Sequence, residues 1–337
     1  MDRDRSTIGV GLIGHGRAGT VIHAPLIEGV EGLRIVAVAT SNPDGLAARR
    51  DSPRAYADPG AMMGDPDVDL VVIATPNDTH VAYAEQALRC GKHVVIDKPF
   101  ALTTGEARGL IALAAQVGRK ITAFHNRRWD GDFLAARQAL AGDMVGRLTL
   151  FEACWDRFRP EAPQAWRNSD RAGAGVLWDL GSHMIDQAIS LFGIPDKVVA
   201  DVAGQRQGAL ADDYFHLTLH YGAMRCLLSA SSIVAAPRPR FALHGTQGSF
   251  IIRGLDPTED ALVAGKLPRD PDFRAALPPI RASLIRPDAQ SEMEFPAGDW
   301  LGFYRELRDA LRNDTPPPVD PAQILKTIEI IEAAHAG

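Results

Sequence analysis

Residues 7–13 read TIGVGLI, apolar without alternation, as a parallel strand buried on both faces requires. Four later stretches repeat the pattern: 33–39 (LRIVAVA), 69–74 (DLVVIA), 93–97 (HVVID) and 120–124 (KITAF). Between them polar and apolar positions follow helical spacing. A helix is predicted near 21–29 despite Pro25, another over VAYAEQALRC with Gly91 beyond its end, and a third over 103–117 stopped by Gly118. Strands separated by helices of this length predict a doubly wound parallel sheet.

From about residue 123 the rhythm changes. Residues 130–140 are helical, 148–158 (LTLFEACWDRF) extended, and 213–221 (DYFHLTLHY) alternates, with Phe215, Leu217, Leu219 and Tyr221 opposite His216, Thr218 and His220. Further strands follow over 224–234, 241–244 and 248–253. Strands in succession predict a mainly antiparallel sheet covered by helices, an α+β domain. In 148–158, Leu148, Leu150 and Cys154 share one face while Phe151, Ala153 and Trp155 share the other, so both faces need a cover: helices on one, a second subunit or a loop on the other. Residues 254–298, rich in Pro, Asp and Ala, read as a long excursion with one hairpin. Two amphipathic helices follow, over 299–311 and 321–334, separated by Pro316, Pro317 and Pro318. The domains are therefore expected at 1–123 and 124–337, and 337 residues exceed what one core usually organises.

Composition changes this picture little. A net charge of −6 gives no reason to expect nucleic acid or an anionic membrane as partner. Cys90, Cys154 and Cys226 lack metal-ligand spacing, and each is expected to be a small buried side chain. No apolar stretch reaches membrane-spanning length and the N-terminus carries no secretory pattern, so a cytoplasmic location is expected.

The chemistry begins at Gly14, Gly16 and Gly19, spaced G-x-G-x-x-G between the first strand and the first helix, the context of a Rossmann dinucleotide site. Gly14 permits the turn, Gly16 admits a pyrophosphate, and Gly19 lets the helix pack closely. Gly14, His15, Gly16, Arg17 and Ala18 form the candidate cradle. The second strand ends at Thr40, Ser41 and Asn42 with no carboxylate before Asp44, which favours NADP over NAD. Arg17, Arg49 or Arg50 could hold a 2′-phosphate or simply be solvated.

In the strand ending Asp97-Lys98-Pro99, ligands lie beyond the carboxyl end, so Lys98 is expected to point into the cofactor cleft. The TPNDTH turn brings Thr75, Pro76, Asn77 and His80 to the same place, although Asp78 or Thr79 could be only an N-cap. Asp179 and His183 are four apart on a predicted helix, about 6 Å along its axis, as a carboxylate that orients an acid–base imidazole needs to be. Asp186, one step further, reads as solvating the helix. The histidines lack ligand spacing, and no metal is expected.

GLIGHGRAG, ATPNDTH, DKPF and GVLWDLGSHMIDQ together resemble the glucose–fructose oxidoreductase/inositol dehydrogenase/MocA family over essentially the whole chain. FHNRRWDGDF and WDRFRP resemble its NADP-dependent scyllo-inositol dehydrogenase-like subgroup. The resemblance implies a Rossmann domain followed by a domain with a large open sheet used for homodimer or homotetramer contact. It implies that Lys98 touches substrate and nicotinamide, that His183 transfers the proton and that Asp179 is its acid. Asp97 then belongs to the cofactor side, and Trp166 and Arg167 reach the cofactor from the second domain. Asn126, Arg127 and Asp156 border the substrate or form salt bridges. The implied activity is hydride transfer between NADP, or NAD, and a ring hydroxyl of a cyclic polyol or sugar. Two rivals keep the fold: a non-catalytic sugar-sensing regulator, and redox-assisted elimination or glycoside cleavage.

Overall fold

The computed structural model describes residues 7–42, 46, 52–162, 168–169 and 171–336. The chain forms two compact units. The first comprises Met1–His125, Glu259–Phe273 and Trp300–Leu325, and the second Asn126–Thr258, Arg274–Asp299 and Lys326–Gly337.

In the first unit six parallel strands, β1 (Ile8–Ile13), β2 (Leu33–Ala39), β3 (Arg54–Tyr56), β4 (Leu70–Ile73), β5 (His93–Ile96) and β6 (Ile121–Ala123), lie in the order β3-β2-β1-β4-β5-β6. This is the doubly wound Rossmann order. The apolar runs are what they looked like: Val10, Leu12, Val71, Val72, Val95 and Ile96 are completely buried. The helix His80–Arg89 ends at Gly91 with φ +73°, and Thr103 closes a capping box with Glu106 on the helix Thr104–Gln116. The helix predicted near 21–29 begins earlier, as a π-helical turn Ala18–His23 that continues into Ala24–Glu28. Cys90 is exposed, contrary to expectation, because it caps the end of its helix outside the packed face.

The chain returns to this unit through the helix Leu301–Asn313. Its Phe303 and Tyr304 pack their rings 4.9 and 5.8 Å from Phe124, and the Val319 carbonyl accepts the Thr122 hydroxyl at 2.9 Å. Stretches beyond residue 124 therefore complete the first core.

The second unit holds a mixed, mainly antiparallel sheet of eight strands. These are β7 (Leu148–Asp156), β8 (Lys197–Ala203), β9 (Tyr214–Tyr221), β10 (Met224–Ser231), β11 (Phe241–Gly245), β12 (Gly248–Ile252), β13 (Ile280–Arg286) and β14 (Ala289–Phe295). Their order is β14-β13-β12-β11-β7-β10-β9-β8, and only β7–β10 is parallel. The supposed excursion supplies the β13–β14 hairpin at one edge. One face, with Phe151, Phe215, Leu217, Leu219, Leu228, Phe241 and Phe250, is fully buried. On the other, Leu150, Leu227 and Ile251 are half-buried, and Val199 and Ile285 are 48% and 39% exposed.

The covered face carries an ion pair. Arg240 and Asp132 are each within 1% of complete burial, with Arg240 Nε 3.6 Å from Asp132 Oδ2. Arg240 also donates to Gln187 Oε1 at 3.0 Å and lies over the Phe241 and Trp155 rings. Burial pushes the Asp132 carboxyl up and the Arg240 guanidinium down, which the attraction between them offsets only in part.

Candidate functional site

In the first unit, strand register decides what meets. Ile13 pairs with Ala39 and Ile73, and Ile73 with Ile96, so these four residues stand level across the sheet. Gly14, Thr40, Ala74 and Asp97 consequently leave the carboxyl edge side by side, with Thr75 and Lys98 one residue further. This row straddles the β1–β4 switch point, where doubly wound sheets bind ligands.

Each glycine of the loop has a distinct need. Gly14 has φ +96°, and a Cβ there would strike the Ala74 carbonyl. A Cβ on Gly19 would strike the Gly14 carbonyl, whereas nothing lies within 4 Å of the Cβ position at Gly16. Gly16 is exposed with His15 and Arg17, and the following turn begins at Ala18. Open space over bare backbone at a helix start fits a pyrophosphate. Thr40 is half-buried, with its hydroxyl accepting the Asn42 N–H at 3.2 Å, and Ser41 is exposed. Arg49 and Arg50 lie outside the described residues, as do Trp166 and Arg167.

Around Lys98 the chain is tightly held. Asp97 Oδ1 accepts the Lys98 backbone N–H at 2.7 Å, and Asp97 Oδ2 lies 3.7 Å from His23 Nε2. Burial by itself would raise the Asp97 carboxyl, but His23 and the charges of Lys98 and His80 outweigh it and hold it below its ordinary value. His23 Nδ1 is 2.6 Å from the Tyr304 hydroxyl, whose own ionisation burial pushes far up. Thr75 and Thr79 share a hydrogen bond at 2.6 Å at the start of a short 3₁₀ turn, Asn77–Thr79. Pro76 is exposed and Asn77 half-buried beside it. His80 differs from expectation: its ring is buried and both nitrogens contact backbone carbonyls, leaving neither for a cofactor.

In the second unit Asp179 and His183 lie on consecutive turns of one helical run. Asp179 belongs to a π-helical turn, Leu177–Gly181, and His183 to the helix Ser182–Phe192. Such turns recur at functional sites because they redirect a helix face. Asp212 anchors the start, accepting the Leu177 N–H at 2.7 Å. His335 Nε2 is 3.1 Å from Asp212 Oδ1, and its ring stacks on Trp178.

That contact raises the His335 pKa, through the hydrogen bond to Asp212 first, with burial opposing. A raised histidine contributes stability that is complete below its unfolded value, about 6.5, and is lost as pH climbs through the folded value. His335→Gln is therefore expected to destabilise the chain more at about pH 5.5 than at about pH 9, as urea unfolding of both proteins will show.

Asn126 and Arg127 sit in the buried turn Asn126–Trp129, tied to the His183 helix where Gln187 Nε2 donates to the Arg127 carbonyl at 2.7 Å. Arg128 grips Asp186 with two hydrogen bonds of 2.8 and 2.7 Å, so Asp186 is a buried ion-pair partner and not a solvated one. Of the two readings of Asp156, the salt bridge is the one seen: its carboxylate is fully buried and held by Arg238 at 2.8 and 2.7 Å. Arg157 was not among the expected residues: its Nη1 lies 3.9 Å from Asp179 Oδ2 and its guanidinium sits 5.8 Å from the Trp155 ring. Its place directly after β7 in WDRF was the available signal.

Among the described residues no group of histidine, cysteine and carboxylate side chains could hold a metal ion, and no helix is long and apolar enough to cross a membrane.

Comparison with known proteins bears on both units. Residues 8–125 match a family model described as "Oxidoreductase family, NAD-binding Rossmann fold", and 137–336 match "Oxidoreductase family, C-terminal alpha/beta domain". The uncharacterized oxidoreductase YdgJ of Escherichia coli is 40% identical, over 96% of this chain and 94% of its own. The scyllo-inositol 2-dehydrogenase (NADP(+)) IolW of Bacillus subtilis is 36% identical over 98% and 94%. The crystal structure of an oxidoreductase from Bacillus cereus superposes with a TM-score of 0.87 at 32% identity, covering 98% of this chain and 96% of that one.

Proposed function

The chain belongs to the glucose–fructose oxidoreductase/inositol dehydrogenase/MocA family of NAD(P)-binding oxidoreductases, and we propose that it is an NADP-preferring dehydrogenase of a ring hydroxyl in a cyclic polyol or sugar. The observation that carries this reading is the level row at the sheet edge, where the glycine loop, Thr75 and Lys98 emerge from adjacent strands. The relative named a scyllo-inositol 2-dehydrogenase supports a cyclic polyol as the substrate class.

The dinucleotide is held by the Gly14–Ala18 loop, the Thr75–Asn77 turn and Thr40 with Ser41. When bound, its nicotinamide supplies the hydride acceptor in oxidation and the donor in reduction. The protein's own residues manage the proton and the charge. His183 takes the proton from the substrate hydroxyl, and Asp179, on the preceding turn, stabilises the imidazolium. Lys98 places an ammonium against the oxygen on which negative charge develops. Arg157 sets a guanidinium 3.9 Å from that carboxylate.

The assay is the absorbance of reduced nicotinamide, with inositols and aldoses offered NADP or NAD and their keto forms offered NADPH or NADH. Net reduction of cofactor by a polyol, or its oxidation by the keto form, supports the dehydrogenase; no net change with any substrate in either direction overturns it. NADP preference rests on the missing carboxylate after β2. Ser41→Asp is therefore expected to weaken NADPH affinity at least about tenfold and to spare NADH, read from nucleotide fluorescence.

The chain is further proposed to form a homodimer or homotetramer through the less covered sheet face, and to act in the cytoplasm, where Cys90, Cys154 and Cys226 remain thiols. Ile285→Lys with Leu227→Lys is expected to shift its mass in sedimentation toward the monomer. An unchanged mass removes that face from the assembly.

A further inference from the structure

His80 is 1% exposed, and each of its ring nitrogens meets a backbone carbonyl. Nδ1 lies 2.8 Å from the Pro99 oxygen and Nε2 lies 2.9 Å from the Thr75 oxygen. A carbonyl can only accept a hydrogen bond, and a neutral imidazole has a single N–H to offer. Both contacts are hydrogen bonds only when the ring carries two protons. A neutral ring would set a nitrogen lone pair against an oxygen lone pair on a side chain that is almost completely buried, where an unmade hydrogen bond is costly. Negative charge to balance an imidazolium is near, in the Asp97 carboxylate two residues before Pro99, whose carbonyl the ring meets.

The two carbonyls belong to different turns. Thr75 follows β4 and Pro99 follows β5, the strand that delivers Lys98. The ring thus braces two neighbouring strand ends immediately beside that lysine, while Asp97 holds the lysine's own N–H. Beneath Asp97, His23 and Tyr304 form a second support. If Tyr304 donates to Nδ1, the remaining His23 proton is on Nε2 and faces the carboxylate. An amide side chain could not replace His80, because its donors share one nitrogen and cannot serve two carbonyls on opposite sides.

We infer that His80 is a positioning residue that works as an imidazolium, donating to the Thr75 and Pro99 carbonyls at once and so fixing where Lys98 presents its ammonium. The inference rests on the dehydrogenase reading for its consequence in catalysis, but not for the state of the ring.

The test uses the full chain with ¹⁵N-labelled histidine and the variant His80→Gln, or His80→Asn should the first not fold. In the wild-type spectrum the ring signals that vanish on substitution are expected at the positions of two protonated nitrogens. One protonated and one bare nitrogen overturns the imidazolium. If neither variant folds, a wild-type spectrum with no doubly protonated ring overturns it equally. In hydrogen–deuterium exchange, the peptide covering 94–102 is expected to lose protection about tenfold in the variant while the rest of the first unit keeps its own. Uniform loss throughout the unit, or no loss at 94–102, overturns the positioning role. In turnover, kcat is expected to fall about tenfold to a hundredfold with the KM for NADPH nearly unchanged. A kcat within twofold of wild type overturns the link to Lys98. Should the wild type oxidise no polyol, the dehydrogenase reading falls, while the spectrum and the exchange still decide His80.

Discussion

Lys98→Ala is expected to lower kcat about a hundredfold to a thousandfold while the chain stays folded and binds NADPH as before. The size follows from what the ammonium does in the proposed reaction. Charge grows on one oxygen as its proton leaves, and a fixed cation there is worth more than water, because it needs no reorganisation when the charge appears. Cofactor binding is spared because the glycine loop, Thr40 and the Thr75 turn are separate pieces of backbone leaving other strands. Folding is spared because the turn around residue 98 is held by backbone and neighbouring groups: Asp97 on its N–H, His80 on the Pro99 carbonyl. Lys98→Arg keeps the charge but not its shape, and is expected to recover only part of the rate. Steady-state kinetics of both variants with nucleotide titration checks these statements. Activity of Lys98→Ala within a few-fold of wild type removes the lysine from the reaction.

Arg240→Met is expected to cost about 3–5 kcal/mol of stability, the range for breaking a buried ion pair by deleting one partner. The methionine fills much of the space against Phe241 and Trp155, so the loss is mainly that of a carboxylate left buried without its cation. The double variant Asp132→Leu with Arg240→Met is expected to recover most of it, since removing both charges also removes their desolvation. The pH dependence has a definite sign. Burial already raises the Asp132 carboxyl, and without Arg240 it rises further. A raised group favours the folded state below its unfolded value and loses that advantage as pH climbs through the folded value. The single variant should therefore be least impaired in acid. Urea unfolding of the three proteins at several pH values measures this, and equal stability of wild type and Arg240→Met would refute it.

How much of this could be read from the residues depends on the range of the forces involved. The buried parallel strands were legible because a continuous apolar run has few other uses. The same holds for the glycine loop, whose spacing encodes backbone clearances that the structure reproduces at Gly14 and Gly19. Asp179 and His183 were legible because helical spacing alone relates them. Two edge strands, β3 and β8, were not. β3 has three residues, too few for a period, and β8 (KVVADVA) is largely exposed, with Lys197 and Asp201 breaking its apolar pattern.

Partners far apart in the chain were beyond reach for a different reason. Asp156 meets Arg238 across 82 positions and His23 meets Tyr304 across 281, and no local propensity announces either. Asp186 therefore looked solvated when it was committed to Arg128, and Asp156 stood open between a substrate contact and a salt bridge. His80 was placed at the right edge of the sheet, but which way its nitrogens face is set by carbonyls on two separate turns.

The return of Trp300–Leu325 to the first unit has a consequence for how the protein is made. A chain still on the ribosome and shorter than about 300 residues holds the whole parallel sheet, yet Phe124 lacks Phe303 and Tyr304, and His23 lacks its phenol. The nucleotide-binding half must wait until residues 300–325 have been made before its interior closes, and until then it is a natural client for a chaperone.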